Sequence, residues 1–515
     1  MKPFEAQSLP ELISLASSFY GSKCAIQDND VSLTYIELEE ISIQSAESLL
    51  ALGVEEGDRV CVWAPNSAEW IISAIAIQMV KAILVPINTR FKGAEASYIL
   101  NKTGAKILFT VKDFLDVNYS LMIKEEQTPA LQNLIFLDKK EGNDSWNEFM
   151  QLSPPKNKYL DQTYDSNSIA DIIFTSGTTG KPKGVMVTQK QNLKVFENWS
   201  RHVGLNEDDR YLIVNPFFHT FGYKAGWLAS IMRGAVILPH QVFEPQSVLH
   251  RIEKDKISVM PGPPTLYQSV MDAENFNSFD ISSLRLAVTG AATIPIQLIY
   301  DMREIMHIDT VLTAYGLTES TGVVTMCNPG DAPELIANTS GAPIEGIEVK
   351  CIAQDGTIAS SGEPGDIYVK GYNVMLGYYE EPKQTEEAIS VDGWLHTGDI
   401  GVINSQGYLS ITDRSKDMFT VGGFNTYPAE IENILASHTH ISSSAVIGIS
   451  DKRLGEVAKA FVVLKERCFI EEHDLIKWCR NNMANYKVPR EISFVSDLPL
   501  NASGKVMKYK LRELE

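Results

Sequence analysis

Cysteine pairs, an uninterrupted apolar run and an excess of positive charge are all missing from this 515-residue sequence. Its six cysteines (Cys24, Cys61, Cys327, Cys351, Cys468 and Cys479) include no CxxC pair. That excludes a zinc ribbon or a disulfide framework and fits a reducing compartment. The most apolar segment, residues 70–87, is interrupted by Gln78 and Lys81 and contains Pro86. It reads as a buried helix followed by a strand, not as a membrane span. The first residues, Met1 to Glu5, lack the apolar core of a signal peptide. A cytoplasmic protein without integral membrane association is the expectation. Lys and Arg number 45 against 65 Asp and Glu, a net charge of −20. A general nucleic-acid binder has a basic footprint and is excluded. Any anionic ligand must be held by local positive groups against an unfavourable long-range field.

What is present is enough chain for more than one core. Apolar segments at helical spacing (residues 33–52 and 65–80) alternate with strand-like runs (59–64, 83–88, 105–110 and 134–137). This is an α/β pattern with largely parallel sheets. Residues 138–168 are polar and read as a surface excursion. A β-rich stretch follows at 341–408, and a small α+β region closes the chain. We place a domain of residues 1–412, a hinge at 413–416 and a second domain at 417–515. The charge divides the same way: 15 Lys/Arg and 14 Asp/Glu from 413 onward give +1, leaving −21 for residues 1–412.

The chain is organised around Thr175-Ser176-Gly177-Thr178-Thr179-Gly180-Lys181-Pro182-Lys183-Gly184, set between two strand-like runs. Four hydroxyls, three glycines and two lysines in ten residues make a phosphate cradle. It is not a Walker A loop, because Thr175 and Pro182 stand where that motif needs Gly and Ser or Thr. The alternative is an ordinary Gly/Ser/Thr surface hairpin. Three further strand ends carry polar or glycine punctuation: Asn215 to Gly222 with His219, Thr289-Gly290-Ala291-Ala292, and Tyr315-Gly316-Leu317-Thr318-Glu319. Ligands gather at the carboxyl ends of parallel strands, so these segments are expected to share one site. A lone His at such a place is otherwise a satisfied core residue.

Taken together with His396-Thr397-Gly398-Asp399, Asp413-Arg414-Ser415-Lys416-Asp417, Gly422-Gly423 and Gly504-Lys505, these motifs resemble the adenylate-forming superfamily. That group includes acyl-CoA synthetases, aryl-CoA ligases, firefly luciferase and peptide-synthetase adenylation domains. Acyl-CoA synthetases are the nearest likeness. The resemblance implies a large N-terminal domain, a small mobile C-terminal domain and a two-step reaction. A carboxylic acid and ATP give acyl-AMP and pyrophosphate, and coenzyme A then displaces AMP.

The resemblance also implies roles for single residues. Thr175, Ser176, Gly177, Thr178, Thr179, Gly180 and Lys183 would hold the ATP phosphates, joined by Thr318. Glu319 would bind Mg²⁺. Tyr315 would stack on adenine, while Asp399 and Arg414 would hold the ribose. Lys505 would be the catalytic lysine of adenylation. Lys416 would be the hinge, and Gly422 and Gly423 would line the CoA tunnel. The acid would sit among His219, Phe221, Lys224, Gly290, Ala291, Ala292 and Gly316. Amino-acid-activating relatives carry an aspartate near His219; Phe217-Phe218-His219 offers no acid, which disfavours an amino-acid substrate. For Lys224 two readings stand: it points to solvent, or it meets a distal carboxylate or keto oxygen of the acid. A homodimer is retained as a partner. The rivals are an acyl-AMP ligase that loads a carrier protein and a non-catalytic acyl or nucleotide sensor.

Overall fold

Helix starts are written locally. Thr34 Oγ1 accepts from the Glu37 N–H at 3.2 Å while Glu37 accepts from the Thr34 N–H at 2.8 Å, opening the helix Tyr35–Ala51. Ser67 accepts from the Trp70 N–H at 3.1 Å and opens Ala68–Met79. That second helix is apolar on every side and buried along its length, so it needs cover all round. Helices Leu9–Tyr20 and Tyr35–Ala51 and the strands beneath supply it. No helix among the described residues is long and apolar enough to cross a membrane. The computed structural model describes all residues except 139–144, 155–159, 161, 162, 176–181, 291–293, 295, 354, 415–418, 427, 500–505, 507 and 513–515. For residues 412–414, 425, 429, 433 and 509 it describes the backbone alone.

Two sheets build the large domain. The first runs in the order Gly377–Tyr378, Lys183–Thr188, Ile169–Thr175, Ile83–Pro86, Arg59–Trp63, Ile107–Thr110 and Asn133–Phe136. From Ile169–Thr175 onward all pairings are parallel, and the first two strands join antiparallel. In the second sheet Val31–Thr34, Cys24–Asp28, Val236–Pro239 and Arg210–Ile213 connect through bridges at Val259 to Leu286–Gly290 and Thr310–Tyr315. A four-stranded antiparallel sheet, ending in Leu395–Ile403 and Leu409–Arg414, follows. The small domain begins a new sheet at Phe419–Val421, covered by helices Pro428–Ala436 and Glu472–Asn482. The α/β architecture with largely parallel sheets and a small α+β unit is thus as expected.

The polar stretch before the phosphate loop is more than surface. Its helix Ser145–Met150 buries Trp146 and Phe149, whose rings meet Phe109 at 6.4 and 5.3 Å. Two aromatics one helical turn apart suffice to dock a short helix that is otherwise polar.

One ion pair ties the two sheets through the core. Asp171, midway along Ile169–Thr175, and Lys224, in the π-helical turn Tyr223–Leu228, have no accessible side-chain surface. Lys224 Nζ lies 3.0 Å from Asp171 Oδ1, and Asn192 Nδ2 donates to the other oxygen at 2.6 Å. Beside it, Gln189 donates to Gln78 at 2.8 Å and Gln78 to the Tyr223 hydroxyl at 3.0 Å. Burial holds the Lys224 ammonium below its ordinary pKa, with Asp171 pulling the other way. Lys224→Met removes the ion-pair partner of buried Asp171, and should cost about 3–5 kcal/mol in urea unfolding. Asp171→Asn combined with Lys224→Met should regain most of that loss. Equal stability of Lys224→Met and wild type would contradict the pairing.

Candidate active site

The phosphate hairpin is held by its strands. Ile169–Thr175 and Lys183–Thr188 pair antiparallel with Thr175 opposite Lys183, so the loop leaves and returns at one point. Gly184 is required there, since a Cβ would lie 2.7 Å from Ile172 Cγ2. Ser176, Gly177, Thr178, Thr179 and Gly180 lie outside the described residues. At the base of the loop, Thr175 Oγ1 donates to Glu319 Oε1 at 3.4 Å, and the Tyr378 hydroxyl donates to the same oxygen at 3.0 Å. Lys183 Nζ stands 4.8 Å from the centre of the Tyr378 ring. Tyr378 was not singled out by the sequence. It enters because Gly377–Tyr378 pairs with the returning strand, with Tyr378 opposite Val185. Nothing in the local pattern signals that pairing.

Tyr315 to Glu319 make the next wall. The strand Thr310–Tyr315 ends in a 3₁₀ turn, Thr318–Ser320, then Thr321 turns left-handed at φ 58°. Gly316 admits no side chain, because a Cβ would sit 2.1 Å from the Gly322 carbonyl oxygen. The turn is pinned from outside: Met375 N–H donates to the Glu319 carbonyl at 2.9 Å, and Thr321 Oγ1 donates to the Asn373 carbonyl at 2.7 Å. Burial raises the Glu319 carboxyl above the usual carboxylate range, opposed by the Tyr378 and Thr175 hydroxyls and the Lys183 charge. The Tyr315 hydroxyl donates to Asp399 Oδ2 at 2.6 Å. Burial, with the Asp399 charge next, pushes that phenol well above its ordinary value, so it stays a donor. Asp399 in turn faces Arg414 across adjacent antiparallel strands. The adenine and ribose candidates therefore meet one another.

His219 follows the strand Arg210–Ile213 and caps the short helix Thr220–Gly222, its Nδ1 accepting from the Phe221 N–H at 3.2 Å. That bond assigns the proton to Nε2. Protein atoms crowd around the ring, yet the residue is exposed at the surface. Burial lowers its pKa to about 4, so the imidazole is neutral near pH 7. Asn66, a second residue missed by sequence reading, clamps this loop. Its Nδ2 donates to the carbonyls of Ile213, Asn215 and His240 at 2.9–3.2 Å, and its Oδ1 accepts from the Phe217 N–H at 2.8 Å. Gly222 is forced: a Cβ would stand 2.3 Å from the Asn215 and Pro216 oxygens. At Gly322 a Cβ would lie 3.2 Å from Thr220 Cβ, which brings the His219 loop against the Tyr315–Glu319 turn. Gly290 joins them through its strand partner Ala314, whose oxygen is 2.8 Å from a Cβ placed there. Phe221 is half-buried. Ala291 and Ala292 lie outside the described residues.

Lys224 requires a correction. It neither points to solvent nor presents surface to the cleft, because the helical turn carries it inward onto Asp171. A lysine in an otherwise apolar segment ending in Trp227-Leu228 is buried with the segment once a carboxylate awaits it.

The small domain contributes Gly422 and Gly423, both left-handed at φ 55° and 85°. A Cβ at Gly423 would lie 3.7 Å from Pro263 Cγ of the large domain. The next ring, Phe424, sits 4.7 Å from the Arg90 guanidinium. Lys416 and Lys505 lie outside the described residues, and Arg414 is described by its backbone alone.

Comparison with known proteins fits this arrangement. A family model described as AMP-binding enzyme matches residues 16–379, and one for the C-terminal domain of AMP-binding enzymes matches 430–505. The chain is 43% identical over 496 residues, 95% of each chain, to 3-[(3aS,4S,7aS)-7a-methyl-1,5-dioxo-octahydro-1H-inden-4-yl]propanoyl:CoA ligase of Mycobacterium tuberculosis. It is 40% identical over 515 residues, 98% of each chain, to the ligase of the same name from Rhodococcus jostii. Among solved structures it resembles o-succinylbenzoate CoA synthetase from Bacillus subtilis, 29% identical. A doubly substituted form bound to a product analogue gives a TM-score of 0.86 over 97% of this chain and 98% of that one. The complex of that synthetase with ATP and magnesium gives 0.70 over 97% and 98%. The chain belongs to the AMP-binding, adenylate-forming family, within which it is an ATP-dependent ligase joining a carboxylic acid to coenzyme A.

Proposed function

We propose that the acid is a fused-ring, keto-bearing propanoic acid. The observation that carries this reading is the pair of relatives named for one such acid, at 43% and 40% identity over nearly the whole chain. Medium-chain acyl-CoA ligases of the same family reach 31%. The cleft around His219 is in keeping with it. Behind the His219 loop the buried rings of Trp70, Phe217, Tyr223 and Trp227 pack on one another, and Phe217-Phe218-His219 itself offers no acid that could hold an amine. Lys224, with Asp171, fixes the turn behind that wall and acts on the acid only through it.

In the first step a carboxylate oxygen attacks the ATP α-phosphorus and the bond to pyrophosphate breaks. Lys183, Thr175 and Thr318, with the hairpin residues between, hold the departing phosphates. Tyr315 orders Asp399, which with Arg414 takes the ribose. The Glu319 carboxylate is fed by two neutral hydroxyls, leaving it a hard oxygen donor of the kind Mg²⁺ takes. A bound Mg²⁺ would neutralise phosphate charge there. Lys505 stabilises the charge that builds between carboxylate and α-phosphate. In the second step the CoA sulfur bonds to the acyl carbon, the bond to AMP breaks, and the thiol proton leaves. The small domain turns on residues 413–416 between the steps, bringing the Gly422–Gly423 passage to the acyl group. The nearness of the Gly423 loop to Pro263, where an added Cβ would stand 3.7 Å away, and the higher TM-score with the product-analogue complex support this as the second-step orientation.

Across acetate, octanoate, benzoate and 3-(7a-methyl-1,5-dioxo-octahydroinden-4-yl)propanoate, the last should give the highest kcat/KM for CoA-dependent AMP release. Octanoate exceeding it would overturn the substrate reading, and pyrophosphate release without CoA turnover would point to a carrier-protein acceptor. Because burial holds His219 near pKa 4, it stays neutral well below its ordinary 6.5. The kcat/KM profile should carry no His219 inflection from pH 8 down to about 5.5. A step near 6.5 that His219→Asn abolishes would contradict the assignment.

A further inference from the structure

The two domains meet over a buried lysine that serves none of the roles above. Lys487 of the small domain is buried, and its Nζ lies 2.6 Å from Glu95 Oε1 in the large-domain helix Gly93–Thr103. It also contacts Glu430 Oε1 in its own domain, and the ring centre of large-domain Phe91 is 4.4 Å away. Around this point the Asn88 amide donates to the Tyr486 hydroxyl at 3.4 Å, and Arg90 covers Phe424.

The members of this triad differ in what they do when the domains move. Glu430 and Lys487 belong to one body and travel together. Glu95 is held in place by the large domain, since its other oxygen accepts from the Lys92 N–H at 2.9 Å at the helix start. Of the two ion pairs in the triad, Glu95–Lys487 is the one that crosses between the domains. A lysine shut between two carboxylates away from water is attracted strongly to both, and when Glu95 loses its charge Glu430 still pairs Lys487 within the small domain.

We propose that Glu95 is a positioning residue for thioester formation: by engaging Lys487 it holds the small domain with the Gly422–Gly423 loop against Pro263. It takes no part in adenylation. This role rests on the two-step, two-orientation reading above, and on no particular acid.

Single-turnover kinetics separate the steps. Enzyme, ATP and 3-(7a-methyl-1,5-dioxo-octahydroinden-4-yl)propanoate are mixed and pyrophosphate is counted, then CoA is added and AMP release is followed. Octanoate replaces that acid if the wild type releases no pyrophosphate with it, which separates a failed substrate reading from a failed positioning role. Glu95→Gln keeps an acceptor for the Lys92 N–H and loses the charge. Its adenylation rate should stay within about twofold of wild type, and AMP release on CoA addition should slow about tenfold. Glu95→Asp, which restores the charge on a shorter arm, should recover part of that loss. Equal losses in both steps, or no loss in either, would overturn the proposal.

Discussion

Glu319 is where separate parts of the chain are made into one site. Its carboxylate takes hydroxyls from Thr175, at the mouth of the phosphate hairpin, and from Tyr378, on the strand that closes the sheet edge. Its own carbonyl takes the N–H of Met375. An acid this deep is expensive to ionise unless donors surround it. The hairpin and the 373–378 segment supply those hydroxyls to the Tyr315–Glu319 turn, so each holds the others in register. Gly316 and Gly322 allow the turn to fold tightly enough to reach, and the His219 loop packs on its far side.

Much of this was legible in the sequence because it follows from local rules. The alternation of strand and helix, the Gly-rich hairpin and the strand-end motifs are short-range patterns, and the sheets place them together as parallel topology requires. Tyr315 meets Asp399, Glu319 meets Thr175, and the His219 loop lies against the turn between them. What escaped was set by pairings distant in the chain. Tyr378 acts on Glu319 only because a two-residue strand joins the hairpin. Asn66 acts because its amide spans three carbonyls from two other strand ends. Lys224 shows the opposite failure. It was visible, but only the fold reveals that Asp171, 53 residues earlier, takes its charge inward.

The same division of labour extends to the small domain. Its sheet and helices meet the large domain with Phe424 under Arg90 and Lys487 on Glu95, and the Gly423 loop lies near Pro263. Among the described residues the contacts of Lys487, Tyr486 and Phe424 with the large domain each involve a polar or charged group, the kind that can be exchanged for water when a domain turns. A ligase that must expose one face of its acyl group to ATP and another to a thiol needs such an interface. Gly422 and Gly423, both left-handed, lie at this interface.

The central claim is that the Glu319 carboxylate, held by Thr175 and Tyr378, organises the phosphate-handling side of the site. Acid-dependent exchange of labelled pyrophosphate into ATP tests it most directly, because it reads adenylation without CoA or the second step. Glu319→Gln should lower that exchange by about a hundredfold or more while leaving the thermal midpoint close to wild type. Exchange at the wild-type rate would mean that the convergence on Glu319 is structural and that the chemistry is organised elsewhere.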